Sequence, residues 1–130
     1  MDTFNLRKAT ALAVLSAAAI VYEITLTRIF AIQQFHHFAF VVVSLAILGF
    51  AASGLILSLQ KVADPIWVCG GFSALILLAY LVINLLPFDS YSIAWDQSQV
   101  WILLLYFTAT GLPFLFAGWA IGAALTHAGV

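Results

Sequence analysis

From Phe38 to Leu59 the chain runs through 22 residues without one charged side chain. A transmembrane helix needs roughly 20 mostly apolar residues to cross about 30 Å of hydrocarbon, and the pattern recurs. Comparable stretches cover about Ala9–Ile32, Ile66–Leu86 and Gln99–His127, the first interrupted by Glu23 and Arg28. Of the 130 residues, 65% are apolar by type and 7% are charged, where a soluble domain carries about 25% charged. Four Lys/Arg and five Asp/Glu cannot solvate a water-facing surface. The same scarcity excludes a soluble enzyme, a basic nucleic-acid-binding stripe and a disordered tail. The chain reads as an integral membrane protein.

Continuous apolar runs point to helices, because transmembrane barrels need short alternating strands. The expected fold is therefore all-α: one membrane domain over residues 1–130, a bundle of four transmembrane helices over about 9–32, 38–59, 66–86 and 99–127. The connections Gln33–His37 and Gln60–Asp64 are short and Pro87–Ser98 is longer, which predicts that sequential helices are antiparallel neighbours. Asp64-Pro65 is a good start for the third helix, with proline in its first turn. The fourth stretch is too long for a perpendicular crossing at 1.5 Å per residue and carries Gly111-Leu112-Pro113 near its middle. It reads as one tilted helix kinked at Pro113, rather than two half-helices.

Arg7, Lys8 and Lys61 fall on one side of the membrane, whereas the other side carries Asp89 and Asp96 and no loop cation. Positive loops stay inside, so both termini are expected in the cytoplasm of a multi-pass cell-membrane protein. Arg7-Lys8 followed by an alanine-rich run through Ala17-Ala18-Ala19 resembles a signal peptide. The apolar run continues well past it, and the first helix is expected to be retained. The lone Cys69 sits in an apolar stretch and excludes an intrachain disulfide; it reads as a small packing residue.

The polar exceptions carry the functional candidates. An ionisable residue in a span costs about 2.5–3.5 kcal/mol on insertion scales, so Glu23 should face the bundle interior, a partner or a cavity. Ser16, Glu23 and Thr27 fall within about 60° of one another at 100° per residue. Arg28 lies about 140° from Glu23 and can reach outward to the headgroups. Glu23 has two competing readings: hydrogen-bonding glue between helices, or a ligand, ion or proton site. His36 and His37 point about 100° apart on a helix and cannot share one metal, and His127 belongs to the other side. No metal or cofactor is expected. These histidines read as interfacial residues, the sharper reading being a proton-handling His37 near Glu23. Asp89 and Asp96, with Tyr91 and Trp95, form either an anchored interfacial loop or a shallow mouth for a cation. Gly118-x-x-x-Gly122 and the stripe Ala46, Gly49, Ser53 mark close helix contacts.

The stretch Tyr22-Glu23-Ile24-Thr25-Leu26-Thr27-Arg28 resembles the Y-E-x-x-x-T-R signature in the first helix of the polytopic spermidine synthase-like membrane proteins. His37-Phe38-Ala39-Phe40 with Ser44-Leu45-Ala46, Leu48-Gly49 and Ala52-Ser53-Gly54 is similar to that family's second helix. Pro87-Phe88-Asp89 with Ile93-Ala94-Trp95-Asp96 resembles its extracytoplasmic loop, and Pro113-Phe114 through Gly122 its last segment. The resemblance implies a membrane module that is followed, in the family, by a cytosolic Rossmann-like aminopropyltransferase or methyltransferase domain. To Val130 this chain has no strand-rich segment and no glycine-rich nucleotide loop. No enzymatic activity is therefore expected of this chain alone, and a long polyamine cation suits the acidic mouth only through the resemblance. The expected role is a membrane scaffold or binding module. Its expected partners are the bilayer, other membrane subunits, a cytosolic Rossmann-like domain or a second copy of the chain, and no nucleic acid. Two alternatives stand beside it: a small transporter or proton-coupled subunit using Glu23, and an accessory subunit of a redox or photosynthetic membrane complex.

Overall fold

The computed structural model describes residues 3–33, 36–59, 64–86, 88–89 and 91–128, with side chains left aside at 3–5, 36–37, 65 and 127–128. Its elements are α1 (Thr3–Gln33), α2 (His36–Leu59), α3 (Pro65–Leu85) and α4 (Ser98–Ala128), with one short 3-10 turn at Ser92–Ala94. All four α-helices are long and apolar enough to cross a membrane. The described structure is otherwise turn and loop, with no strand among those residues.

Helix ends do not coincide with the ends of the apolar runs. α1 begins at Thr3, ahead of the apolar stretch and through Arg7 and Lys8, because propagating an existing helix adds one hydrogen bond per residue fixed. α3 opens as its sequence predicts: Asp64 is extended, Pro65 stands at the first helical position, and the Asp64 carbonyl accepts from the Trp67 N–H at 3.1 Å. Its other end is closed by the Leu86 N–H donating to Val82 at 3.2 Å. α4 runs unbroken from Ser98 to Ala128 with Pro113 inside it, so the fourth stretch is one helix and not two half-helices.

α4 is the hub. It packs most extensively on α2, then α3, and also meets α1, while α1 packs on α2. Contact pairs set the directions. Going up α2, Leu45, Gly49, Ser53 and Leu57 meet Gly111, Phe114, Gly118 and Gly122 in turn, so α2 and α4 run parallel. On α1, Tyr22 meets Phe114 and Phe30 meets Tyr106, so α1 runs against α4. α3 also runs against it, with Gly71 at Phe116 and Ile83 at Tyr106.

One expectation needs correcting. α2 and α3 are consecutive, yet they are not packed neighbours, because α4 inserts between them. Loop length limits only how far apart two helix ends can be. Five linking residues reach at most about 17 Å, more than the roughly 10–12 Å diameter of an intervening helix.

Small residues on α4 explain its central place. Ala117, Ala120 and Ala123 are all at 0% exposure, leaving room for the helices that close on α4. Without a hydrophobic driving force inside lipid, such contacts rest on van der Waals packing. The outer faces carry Ile47, Leu48, Trp67 and Leu77, each at least 64% exposed, an apolar exterior suited to hydrocarbon.

Candidate functional site

Two tyrosines tie the helices together, one at mid-bundle and one at the end of α3. Tyr22 on α1 is buried, and its hydroxyl donates to the Thr110 carbonyl of α4 at 3.1 Å. Its ring lies 5.0 Å from Phe114 and 6.5 Å from Phe72 of α3, centroid to centroid. Pro113 lies on the next turn, one position out of step: the carbonyl it leaves without an N–H is that of Ala109, beside the Thr110 carbonyl that Tyr22 bonds. A proline has no N–H for the carbonyl four residues back and crowds that turn, and buried helix carbonyls in a membrane protein need donors from neighbours. Tyr22 supplies one, three residues before the proline.

Tyr106 does the same for α3. Its hydroxyl donates to the Leu86 carbonyl at 2.7 Å, with Ile83 at 3.1 Å in reach of the same proton. These carbonyls close the last turn of α3, where a helix leaves its acceptors without intrahelical donors. Thr110 completes the set, its hydroxyl donating to the Tyr106 carbonyl at 2.7 Å. Phe30 and Phe88 flank the Tyr106 ring at 6.3 and 5.5 Å.

The parallel α2–α4 seam is the tightest contact. A Cβ on Gly49 would lie 2.7 Å from Phe114 Cβ and 2.9 Å from the Leu115 nitrogen. One on Gly118 would strike the Ser53 hydroxyl, and one on Gly122 would strike Leu57. Ser53 is buried and turns its hydroxyl back to its own helix, donating to Phe50 at 2.7 Å. Gly49, Ser53, Gly118 and Gly122 thus sit in one interface, each filling or making room for the facing helix.

The loop before α4 is built from local carboxylate bonds. Asp89 accepts from the Ser92 hydroxyl at 2.7 Å and the Tyr91 N–H at 3.0 Å, while its own N–H donates to Gln99 Oε1 at 3.2 Å. Asp96 accepts both the hydroxyl and the N–H of Ser98, at 2.7 and 3.0 Å, and so opens α4. These are Asx-type turns. The Ser92 hydroxyl, then the Tyr91 N–H, hold the Asp89 carboxyl below the ordinary value of 3.8. For Asp96 the Ser98 hydroxyl, then its N–H, do the same. Tyr91 and Trp95 stand 69% and 80% exposed beside them.

Glu23 and Arg28 are placed differently. Glu23 is half-buried at the edge of the face that carries Ala19, Tyr22, Leu26 and Phe30. That edge lies away from α3, which packs on Leu15 and Ala18 through Phe72. Arg28 is exposed. Among the described residues neither side chain makes a hydrogen bond or an ion pair, and the interhelical bond at this level of α1 is made by the neighbouring Tyr22. His37 stands in the first turn of α2, and its side chain, like that of His127, lies outside the described residues.

Among the described residues, open grooves include an apolar one of about 400 Å³ between α2 and α4, one of about 490 Å³ between α1 and α3, and a more polar one of about 500 Å³. The last lies near the α3 C-terminus, lined by Gln33, Asn84, Leu86, Phe88 and Tyr106. Glu23, Arg28, Asp89 and Asp96 line none of these three. No group of three or more His, Cys, Asp or Glu among the described residues could hold a metal ion.

The geometry defines an all-helical chain with four helices of membrane-crossing length and a hub helix at the centre. No family model, no curated protein and no solved structure matches it.

Proposed function

We propose that this chain is a membrane-embedded scaffold or binding module. It crosses the cell membrane four times with both termini in the cytoplasm, and it works with a partner subunit or a cytosolic Rossmann-like catalytic domain. The observation that carries the reading is the filled axis of the bundle. Thr110, Phe114, Ala117, Ala120 and Ala123 of α4 are at 0% exposure, and the hydroxyls of Tyr22, Tyr106 and Thr110 bond to helix carbonyls. Conduits are lined by polar groups around water or an ion; here side chains occupy the axis, the two tyrosine hydroxyls hold neighbouring helices and that of Thr110 bonds its own. The resemblance to the membrane half of spermidine synthase-like proteins points the same way.

Flux through proteoliposomes tests the reading. The purified chain is expected to pass neither protons nor a labelled polyamine above the rate of empty vesicles. A flux that Glu23→Gln abolishes while the helices stay folded makes the chain a transporter or proton-coupled subunit instead. A haem or pigment absorption band in the purified protein would place it with the redox or photosynthetic assemblies.

A further inference from the structure

The outward face of α1 has the pattern of a helix that meets a copy of itself. Ala13, Ala17, Ile20, Ile24, Thr27 and Ala31 alternate three and four residues apart, the spacing of the a and d positions of a heptad seam. At 100° per residue they fall within about 80° of one another, roughly 135° from the face that carries Tyr22 and Phe30. Ala13 and Ala17 are exposed, Ile20 and Ile24 are 57% and 52% exposed, and Thr27 and Ala31 are half-buried. Thr27 donates its hydroxyl to the backbone carbonyl of Glu23 on its own helix at 2.8 Å, so its polar group is satisfied without a partner across the seam. Small and β-branched residues of this kind let membrane helices approach closely.

The charges select the occupant. Glu23 flanks the seam on one side and Arg28 on the other, about 80° and 60° from its centre. In the heptad that the six residues define, Glu23 is a g position and Arg28 the following e position, five residues on. In a parallel helix pair the g residue of one strand faces that next e residue of the other, and such pairs carry interhelical salt bridges. Within the chain the two point apart and neither has a partner among the described residues. An unpaired charge in a span is expensive. A two-fold axis along the membrane normal keeps both copies in the same orientation and makes the contact self-complementary. We infer that α1 mediates a parallel homodimer in which Glu23 of each chain pairs with Arg28 of the other across the Ala13–Ala31 seam. The inference rests on the membrane reading above.

Oxidative crosslinking in membranes tests it, with single cysteines in a Cys69→Ser chain and an alkaline carbonate wash to establish insertion. Ile24→Cys, on the seam, is expected to give a covalent dimer; Thr25→Cys, exposed but about 100° around, is not. Glu23→Arg or Arg28→Glu alone should weaken the dimer by at least about tenfold, the effect of breaking a close charge pair, and the two together should restore it. If either reversed variant fails to insert, Glu23→Gln and Arg28→Gln replace them, and each must weaken the dimer. A retained chain that stays monomeric overturns the inference, as does equal crosslinking at both positions or no rescue by the double reversal. A chain released by carbonate overturns the membrane reading, and the dimer with it.

Discussion

Replacing Gly49 by alanine puts a methyl group where α2 and α4 leave no room for one. The new Cβ would sit 2.7 Å from Phe114 Cβ, 2.9 Å from the Leu115 nitrogen and 3.0 Å from the Phe114 carbonyl carbon. Carbon atoms pack at about 3.5–4.0 Å, so the two helices must part by roughly 1 Å. Two of the three obstructing atoms are backbone, and no rotamer change relieves them. Overpacking of this kind costs about 1–3 kcal/mol. A gap of 0.5–1 Å along the rest of the seam also forfeits about a quarter to a half of each dispersion contact. We expect Gly49→Ala to destabilise the fold by about 2 kcal/mol, a factor of roughly 30 in the folding constant. Gly54, on the same helix, has nothing within 4 Å of the same position. There alanine should stabilise by up to about 1 kcal/mol through helix propensity. Equilibrium unfolding of both variants in bicelles, followed by tryptophan fluorescence, measures the difference. A Gly49→Ala variant within about 0.5 kcal/mol of the parent, or a Gly54→Ala variant that loses as much, would refute the reasoning.

Tyr22→Phe removes the donor to Thr110 and should cost about 0.5–1.5 kcal/mol in the same assay; no change would mean that carbonyl needs no donor. Tyr106→Phe should fray the end of α3, seen as faster amide exchange near Leu86, with unchanged exchange as the contrary result. Because their carboxyls titrate below 3.8, the order that Asp89 and Asp96 lend their loop is present above that value and lost as pH falls through the lowered one. Amide protection at Tyr91 and Ser98 should therefore persist at mildly acid pH and drop only below the ordinary carboxylate range; protection independent of pH, or lost already near pH 5, contradicts this. For topology, Ser92→Cys should label from outside the cell and Ser58→Cys only from the cytoplasm, and the reverse pattern would overturn the proposed orientation.

What the sequence made legible follows from what each signal measures. Hydropathy marks where hydrocarbon can be met, and the four helices lie over the four apolar runs. It says nothing about where a helix begins, so the start of α1 at Thr3 could not be read from it. Glycine and serine spacing announces a close approach without naming the neighbour. Gly118 and Gly122 could be read as contact residues, but not that they meet Ser53 and Leu57 of a parallel α2. Tyr22 and Tyr106 carried no polar signal, because a hydroxyl at the tip of an aromatic ring counts as apolar by type. Pro113 marks only the neighbourhood of the Tyr22 bond, since the carbonyl it deprives of an N–H is that of Ala109, one residue before Thr110. Glu23 drew attention as an ionisable residue within an apolar span, whereas the interhelical bond belongs to the tyrosine beside it. The acidic loop was legible in kind, since Asp96 two residues before Ser98 is an Asx-turn spacing, and its carboxylates bond locally as that spacing favours.

The scaffold reading stands on an axis closed to water, and thiol accessibility along that axis measures it most directly. Thr110→Cys and Ser53→Cys are close to isosteric and occupy positions at 0% and 3% exposure. In a Cys69→Ser chain in native membranes, both should stay unreactive toward a small hydrophilic methanethiosulfonate added from either side, while Ser58→Cys and Ser92→Cys react. Modification of Thr110→Cys or Ser53→Cys in the folded protein would reveal a water-filled path through the bundle and contradict the account.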